Sequence, residues 1–284
     1  VMVVLVPLAI DRLVSERNPW AKAIAGWALA ASALTVIFTF SRGGFLALIM
    51  VTMLIMWRQR PPIMAVLVVL AIGIALLPLL PAQYTARLGT LLDFLPTNQT
   101  SSQNDVSFRG RTNEYAVGLL MFRDNPILGV GMENYPTEYL RYSRLVGLDP
   151  RRENRSPHSL YVEIAAERGI VGLSVFAFLI GVVFYSIGKA REMLTSAHQP
   201  GSASLVIAVG VGLAGYLTSA LFIHASYPRH FWLLIGVALA LPRMAQNELQ
   251  EFRALKAWLQ KRNKKASQLR SRRPPTDLGG VKLT

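Results

Sequence analysis

The sequence predicts an all-α protein that crosses a membrane several times, and three observations predict it. Hydrophobic residues make up 52% of the 284 positions, and the mean hydropathy is positive. The apolar residues gather into runs that approach the roughly 20 residues a helix needs to cross a bilayer. Basic connectors fall on alternate turns between those runs, as the positive-inside rule requires of a polytopic chain.

In chain order the runs are 1–10, 23–40, 45–57, 63–80, 170–187, 204–223 and 231–241. The first connector carries Arg12, Arg17 and Lys22, and Ser41-Arg42-Gly43-Gly44 separates the second run from the third. Arg58, Arg60 and Pro61-Pro62 form a tight basic turn before the fourth. Lys189 and Arg191 follow the fifth run, and a short turn containing His224 and His230 joins the sixth to the seventh. The chain opens inside an apolar run without a Met or a basic leader, so further spans are expected upstream and a cleavable signal peptide is not.

This order divides the chain into four parts: spans one to four (1–80), an extracytoplasmic, periplasmic loop (81–168), spans five to seven (169–241) and a basic cytoplasmic tail (242–284). The net charge is +14, and most of the 30 Lys and Arg belong to the side that bears the tail. That surplus is a topology signal and an attraction to anionic membrane lipid, so nucleic acid is not an expected partner. In the tail, Leu249, Phe252, Leu255 and Leu259 recur near helical spacing among basic residues, which predicts an interfacial amphipathic helix over 248–261. The alternative is a disordered basic tail, most of all past Arg262. With no Cys, disulfides and thiolate metal sites are excluded.

Chemistry is to be sought in 81–168, the one long polar stretch. It holds ten Arg, ten acidic residues and no Lys, so its formal charge is zero. Arg grips phosphate through a fixed, always-charged fork, and the skew toward Arg suits an anionic ligand. Ordinary Arg/Glu pairing on a solvated surface would look the same.

Three residues stand out. Arg42 lies at the outer end of a span beside Gly43-Gly44, where an Arg is costly unless it serves a site and the glycines admit close backbone approach. The plain alternative is a snorkelling anchor. Arg109-Gly110-Arg111 precedes a helical pattern over 112–123, which places Arg111 beside a helix N-terminus, where N–H groups and dipole favour an anion. The alternative is a surface pair with Glu114. Ser156-Pro157-His158-Ser159 reads as a helix start, with Ser156 as N-cap, Pro157 in the first position and the exit at Gly169. His158 then falls in the first turn, where the dipole favours a neutral ring able to act as general base. His224 and His230 are weaker candidates, and Gly129-Val130-Gly131 reads as a structural turn. No phosphate loop and no His/Asp/Glu cluster with metal spacing is present in the sequence.

Together, Ser41-Arg42-Gly43-Gly44, Gly110-Arg111, the run Asn125-Pro126-Ile127-Leu128-Gly129-Val130-Gly131, Pro157-His158-Ser159-Leu160-Tyr161 and Glu167-Arg168-Gly169-Ile170-Val171-Gly172-Leu173 resemble the O-antigen ligase and polymerase family of bacterial envelope glycosyltransferases. The resemblance covers roughly 23–191. It implies a GT-C-like helical membrane fold in the bacterial inner membrane, working without a cofactor or metal. The implied donor is an undecaprenyl-diphosphate-linked glycan, and the implied acceptor is lipid A core or a growing polysaccharide. By motif, Arg42 and Arg111 would hold the diphosphate and His158 would activate the acceptor, supported by Arg109, Gly43, Gly44 and Glu114. The family usually shows His-Asn where this chain has His158-Ser159, and often Trp where Tyr115 stands.

A ligase joining glycan to lipid A core is the leading expectation. A polymerase, a protein O-oligosaccharyltransferase and a transporter of the lipid-linked glycan stand beside it. A transporter would be expected to carry polar residues or broken helices near mid-membrane, and these apolar runs are nearly free of charge.

Overall fold

A computed structural model describes residues 2–39, 41–59, 106–147, 153, 155–223 and 228–271, with the backbone alone for 42, 59, 106–109 and 265–271. The expected fourth span, the first part of the polar segment, His224 and the end of the tail lie outside the described residues. Among those described, all regular structure is helical: α1 (Met2–Ser15), α2 (Pro19–Phe38), α3 (Arg42–Gln59), α4 (Val106–Asp124), α5 (Tyr135–Val146), α6 (Leu160–Ser196), α7 (Pro200–Ser219) and α8 (Arg229–Ser271).

Three of these, α2, α6 and α7, are long and apolar enough to cross a membrane, and the apolar part of α3, Gly43–Arg58, is shorter. The chain is an all-α polytopic membrane protein. At 1.5 Å per residue the 14 residues of α1 rise only about 21 Å, short of a ~30 Å hydrocarbon core.

Local chemistry sets the helix starts. Asn18 accepts a hydrogen bond from the Trp20 N–H at 2.9 Å, with Pro19 in the first helical position of α2. Ser41 Oγ accepts from the Gly44 N–H at 3.2 Å and so caps α3. Between the helices of the bundle the contact is made by glycine. A Cβ on Gly212 would lie 2.9 Å from the Val4 carbonyl oxygen, and one on Gly215 would run into the Val51 and Val3 side chains. Lipid offers no hydrophobic drive for helices to associate, so small residues that let backbones approach supply dispersion contact instead. A second core joins α6, α7 and α8 around Leu213, Tyr216 and Phe231, the two rings stacked with centroids 5.2 Å apart.

The helix that follows His158, α6, breaks at Gly169, which has φ 60° and ψ −158°, yet no connector follows. The turn after Pro126 fills the break. Val130 and Gly131 N–H groups donate to the Ala166 and Glu167 carbonyls at 2.9 and 3.0 Å. Ile170 and Val171 N–H groups donate to the Pro126 and Ile127 carbonyls at 2.8 and 3.3 Å. Groups that an interrupted helix leaves without partners are thereby satisfied. Gly129 and Gly169 face one another across this seam with φ of 71° and 60°, and a Cβ on either would meet backbone of the opposing strand of chain.

Three expected boundaries are corrected. The helix placed at 112–123 starts at Val106, so Arg111 lies within it and not beside its N-terminus. Gly110 is tolerated because one Gly costs only about 1 kcal/mol in a helix, less than the packing α4 gains. The helix expected to begin at Pro157 begins at Leu160, with Ser159 as N-cap. Tertiary bonding moves the start, since the Leu160 N–H donates to the Ala220 carbonyl at 2.9 Å. The seventh span and the amphipathic tail are one helix running through Pro242. Its buried stripe, Phe231, Ile235, Ala238, Leu241, Ala245 and Leu249, continues on both sides of the proline.

Candidate active site

The site is assembled around the end of α7. Residues 217–222 receive contacts from three directions. Tyr161 and Leu160, at the start of α6, donate to the Leu217 carbonyl (2.9 Å) and the Ala220 carbonyl (2.9 Å). Tyr115, on α4, donates its hydroxyl to the Leu221 carbonyl. Gly43, buried at the start of α3, packs so closely on Phe222 that an added Cβ would lie 2.7 Å from the Phe222 Cβ. Segments far apart in sequence, each singled out for its motif, thus meet at one end of the bundle.

On α4 the inward face is polar and fully buried. Asn113 donates to the Tyr139 hydroxyl at 2.8 Å and to Ser143 Oγ at 2.9 Å, which fastens α5 to α4. Tyr135 donates its hydroxyl to the Glu114 carbonyl at 2.6 Å. Burial, with the Glu114 charge next, pushes the Tyr135 phenol well above its ordinary range, so it keeps the proton it donates.

The Glu114 side chain is 0% exposed and meets two partners. His158 Nδ1 lies 2.6 Å from its Oε2, and Arg155 Nη1 lies 3.0 Å from its Oε1. A buried carboxylate costs several kcal/mol unless its charge is matched, and here two cationic or donor groups close on it from the segment that leads into α6. The expected alternative of Arg111 pairing with Glu114 is therefore replaced. Arg111 is exposed on α4, while Glu114 turns inward to Arg155 and His158. The His158 side chain is 42% exposed, so the ring is fixed at one nitrogen and open on its other side.

His158 stands just ahead of the N-cap and not in the first turn of the helix. Ser159 Oγ accepts from the Val162 N–H at 3.5 Å, so Ser at the position usually Asn in the resemblance performs a capping role open to either residue. Tyr115, where Trp is frequent, uses its hydroxyl to reach α7. Of the two arginines proposed for an anion, it is Arg42 that opens a helix, directly after the Ser41 cap. The side chains of Arg42 and Arg109 are outside the described residues. His230 contacts the Tyr216 hydroxyl at 3.3 Å and packs edge-on against its ring.

Two further acids, neither given a role by the sequence, are buried beside the site. Glu163 and Glu167 are 0% and 2% exposed, and Glu167 Oε1 accepts from the Tyr135 N–H at 3.4 Å. The signal that marks them is their i, i+4 spacing on the same stripe as Leu160 and Ile164. Beside them an apolar cavity of about 510 Å³ opens between α6, the turn at 128–132 and the start of α8, lined by Leu160, Phe176, Phe231 and Trp232 with Glu167 and Arg168 at its edge. Among the described residues, no three His, Asp or Glu side chains gather at metal-binding distances.

These features define a class: an all-helical membrane protein with a buried carboxylate and a half-open histidine at one end of an apolar bundle. The family profile described as O-antigen ligase matches residues 27–177. That is more than half of the chain, and the chain belongs to the O-antigen ligase family. It is a membrane enzyme of the glycosyltransferase kind, acting on lipid-linked glycans. A search of the curated proteins finds none that matches it.

Proposed function

We propose that the chain is an O-antigen ligase that moves a glycan from undecaprenyl diphosphate to a hydroxyl of lipid A core, at the periplasmic face of the bacterial inner membrane. The observation that carries the reading is the meeting at residues 217–222 of the Arg42 helix start, the Arg111 helix and the turn bearing His158. In the reaction the acceptor oxygen attacks the anomeric carbon, the bond from that carbon to the diphosphate oxygen breaks, and the acceptor proton passes to His158. A single in-line displacement inverts the anomeric centre. The leaving diphosphate gains negative charge, and the guanidinium groups of Arg42 and Arg111 stabilise it without a metal. Holding donor and acceptor in line supplies much of the remaining acceleration. The 510 Å³ apolar cavity offers room for part of the polyprenyl chain. The proposed topology has the polar segment outside and the tail in the cytoplasm, in keeping with the basic connectors.

The test is a transfer assay with purified, reconstituted protein, a diphosphate-linked glycan and lipid A core. Labelled core is the expected product. Growth of the glycan on its own lipid carrier, with no label on the core, would make the chain a polymerase and overturn the acceptor assignment.

A further inference from the structure

We propose that Glu114 is a positioning residue for glycan transfer, holding His158 through Nδ1 so that Nε2 is the atom that takes the acceptor proton, while Arg155 holds the other carboxylate oxygen. This rests on reading His158 as the base.

Three observations support it. The 2.6 Å separation of Glu114 Oε2 and His158 Nδ1 is that of a charge-assisted hydrogen bond, and among the described residues it is the hydrogen bond the ring makes. In the neutral ring one nitrogen donates and the other accepts, and a carboxylate accepts only, so Nδ1 must carry the proton and Nε2 the lone pair. The His158 side chain is 42% exposed while Glu114 is 0% exposed, so a substrate can reach the ring but not the carboxylate.

When Nε2 gains the acceptor proton, the ring becomes a cation with a buried anion 2.6 Å away, which stabilises it as the charge forms. Arg155, 3.0 Å from Oε1, pairs its charge with the other carboxylate oxygen. The Tyr135 phenol, which donates to the Glu114 carbonyl, feels the charges of Glu114, Arg155 and Glu163, so these groups share one buried cluster.

The carboxylate is not what fastens α4 to α5. That is done by Asn113 with Tyr139 and Ser143, and by Tyr135 on the backbone carbonyl of residue 114, which a substitution there retains. Glu114→Gln keeps size and shape, can still accept from Arg155, and turns an N–H toward Nδ1. That forces the proton onto Nε2 and removes the base.

The experiment uses the purified, reconstituted full chain with a diphosphate-linked glycan donor and compares wild type, His158→Ala, Glu114→Gln and Glu114→Asp. Glu114→Gln is expected to lower kcat on the order of 100-fold or more, as loss of a correctly protonated base does. The donor KM should stay within about threefold, since no uniform binding contact is removed. Glu114→Asp, which keeps the acceptor-only carboxylate, should recover part of kcat. If Glu114→Gln turns over like wild type while His158→Ala is dead, the positioning role is wrong and the base stands. An active His158→Ala removes the base and the positioning role with it. A loss in both Glu114 variants that tracks a fall of the thermal midpoint makes Glu114 structural and overturns the proposal. Should Glu114→Gln fail to fold, Glu114→Asp decides alone, with reduced kcat at unchanged KM in support and wild-type kcat against.

Discussion

The membrane bundle and the polar segment are held together by different means. Between α1, α3 and α7 the contacts are glycine against aliphatic side chain or backbone, as at Gly212 on Val4 and Gly215 on Val51. Between α4, α5 and the first half of α6 they are buried hydrogen bonds, from Asn113 to Tyr139 and from Tyr135 to the Glu114 carbonyl, and a charge cluster about Glu114. The bundle contact is non-directional and needs only close fit, whereas the polar contact is directional and fixes particular atoms. A helix can slide by a fraction of an ångström in the first without leaving a group unsatisfied. In the second, the same shift strands a buried donor or acceptor at roughly 1–3 kcal/mol. The stiffer half is the one that carries the histidine.

Substitutions can break or sharpen this contrast. At Arg42 and Arg111, Ala should raise the donor KM tenfold or more, about 1.4 kcal/mol of lost charge-assisted binding each. The acceptor KM should change little. Steady-state titration of each substrate checks this, and equal losses for both would point to a folding defect.

Gly169→Ala is expected to cost about 2–5 kcal/mol, because the positive φ is strained for Ala and the new Cβ meets the Ile127 backbone. Gly147 has a similar φ of 68° with nothing within 4 Å, so Gly147→Ala should cost only about 1–2 kcal/mol. Thermal unfolding of both in detergent separates the seam's packing from its backbone strain. In the bundle, Gly215→Ala meets the methyl groups of two buried valines and no strained backbone, and about 1–3 kcal/mol is expected. A cost matching Gly169→Ala would abolish the distinction between the two halves. The smallest effect, about 0.5–1.5 kcal/mol, is expected from Tyr115→Phe, which deletes one neutral hydrogen bond from α4 to α7.

Much of the fold was legible because its signals are local. Apolar runs and Gly169 as a break can each be read from a few neighbouring residues. Misplaced boundaries have tertiary causes. Ser156-Pro157 is a sound helix start by local chemistry, yet the Leu160 bond to Ala220 moves the start three residues on. Pro242 is a sound stop, yet the stripe from Phe231 to Leu249 packs across it. At the site, His158 and Glu114 were both named in advance, but their partnership was not. The sequence offered Arg111 for Glu114 only as a surface pair, the alternative to an anion site at the helix start.

From the sequence alone follow the helical membrane class, the order of the apolar runs and the motifs that mark the family. All depend on residue type and short-range spacing. Tertiary structure alone decided that Glu114 meets His158 across 44 residues. It also decided that the turn after Pro126 completes the broken helix at Gly169, and that α3, α4 and α6 converge on the end of α7. Such pairings depend on which buried groups satisfy one another once water is excluded, and no periodicity in the chain records that choice.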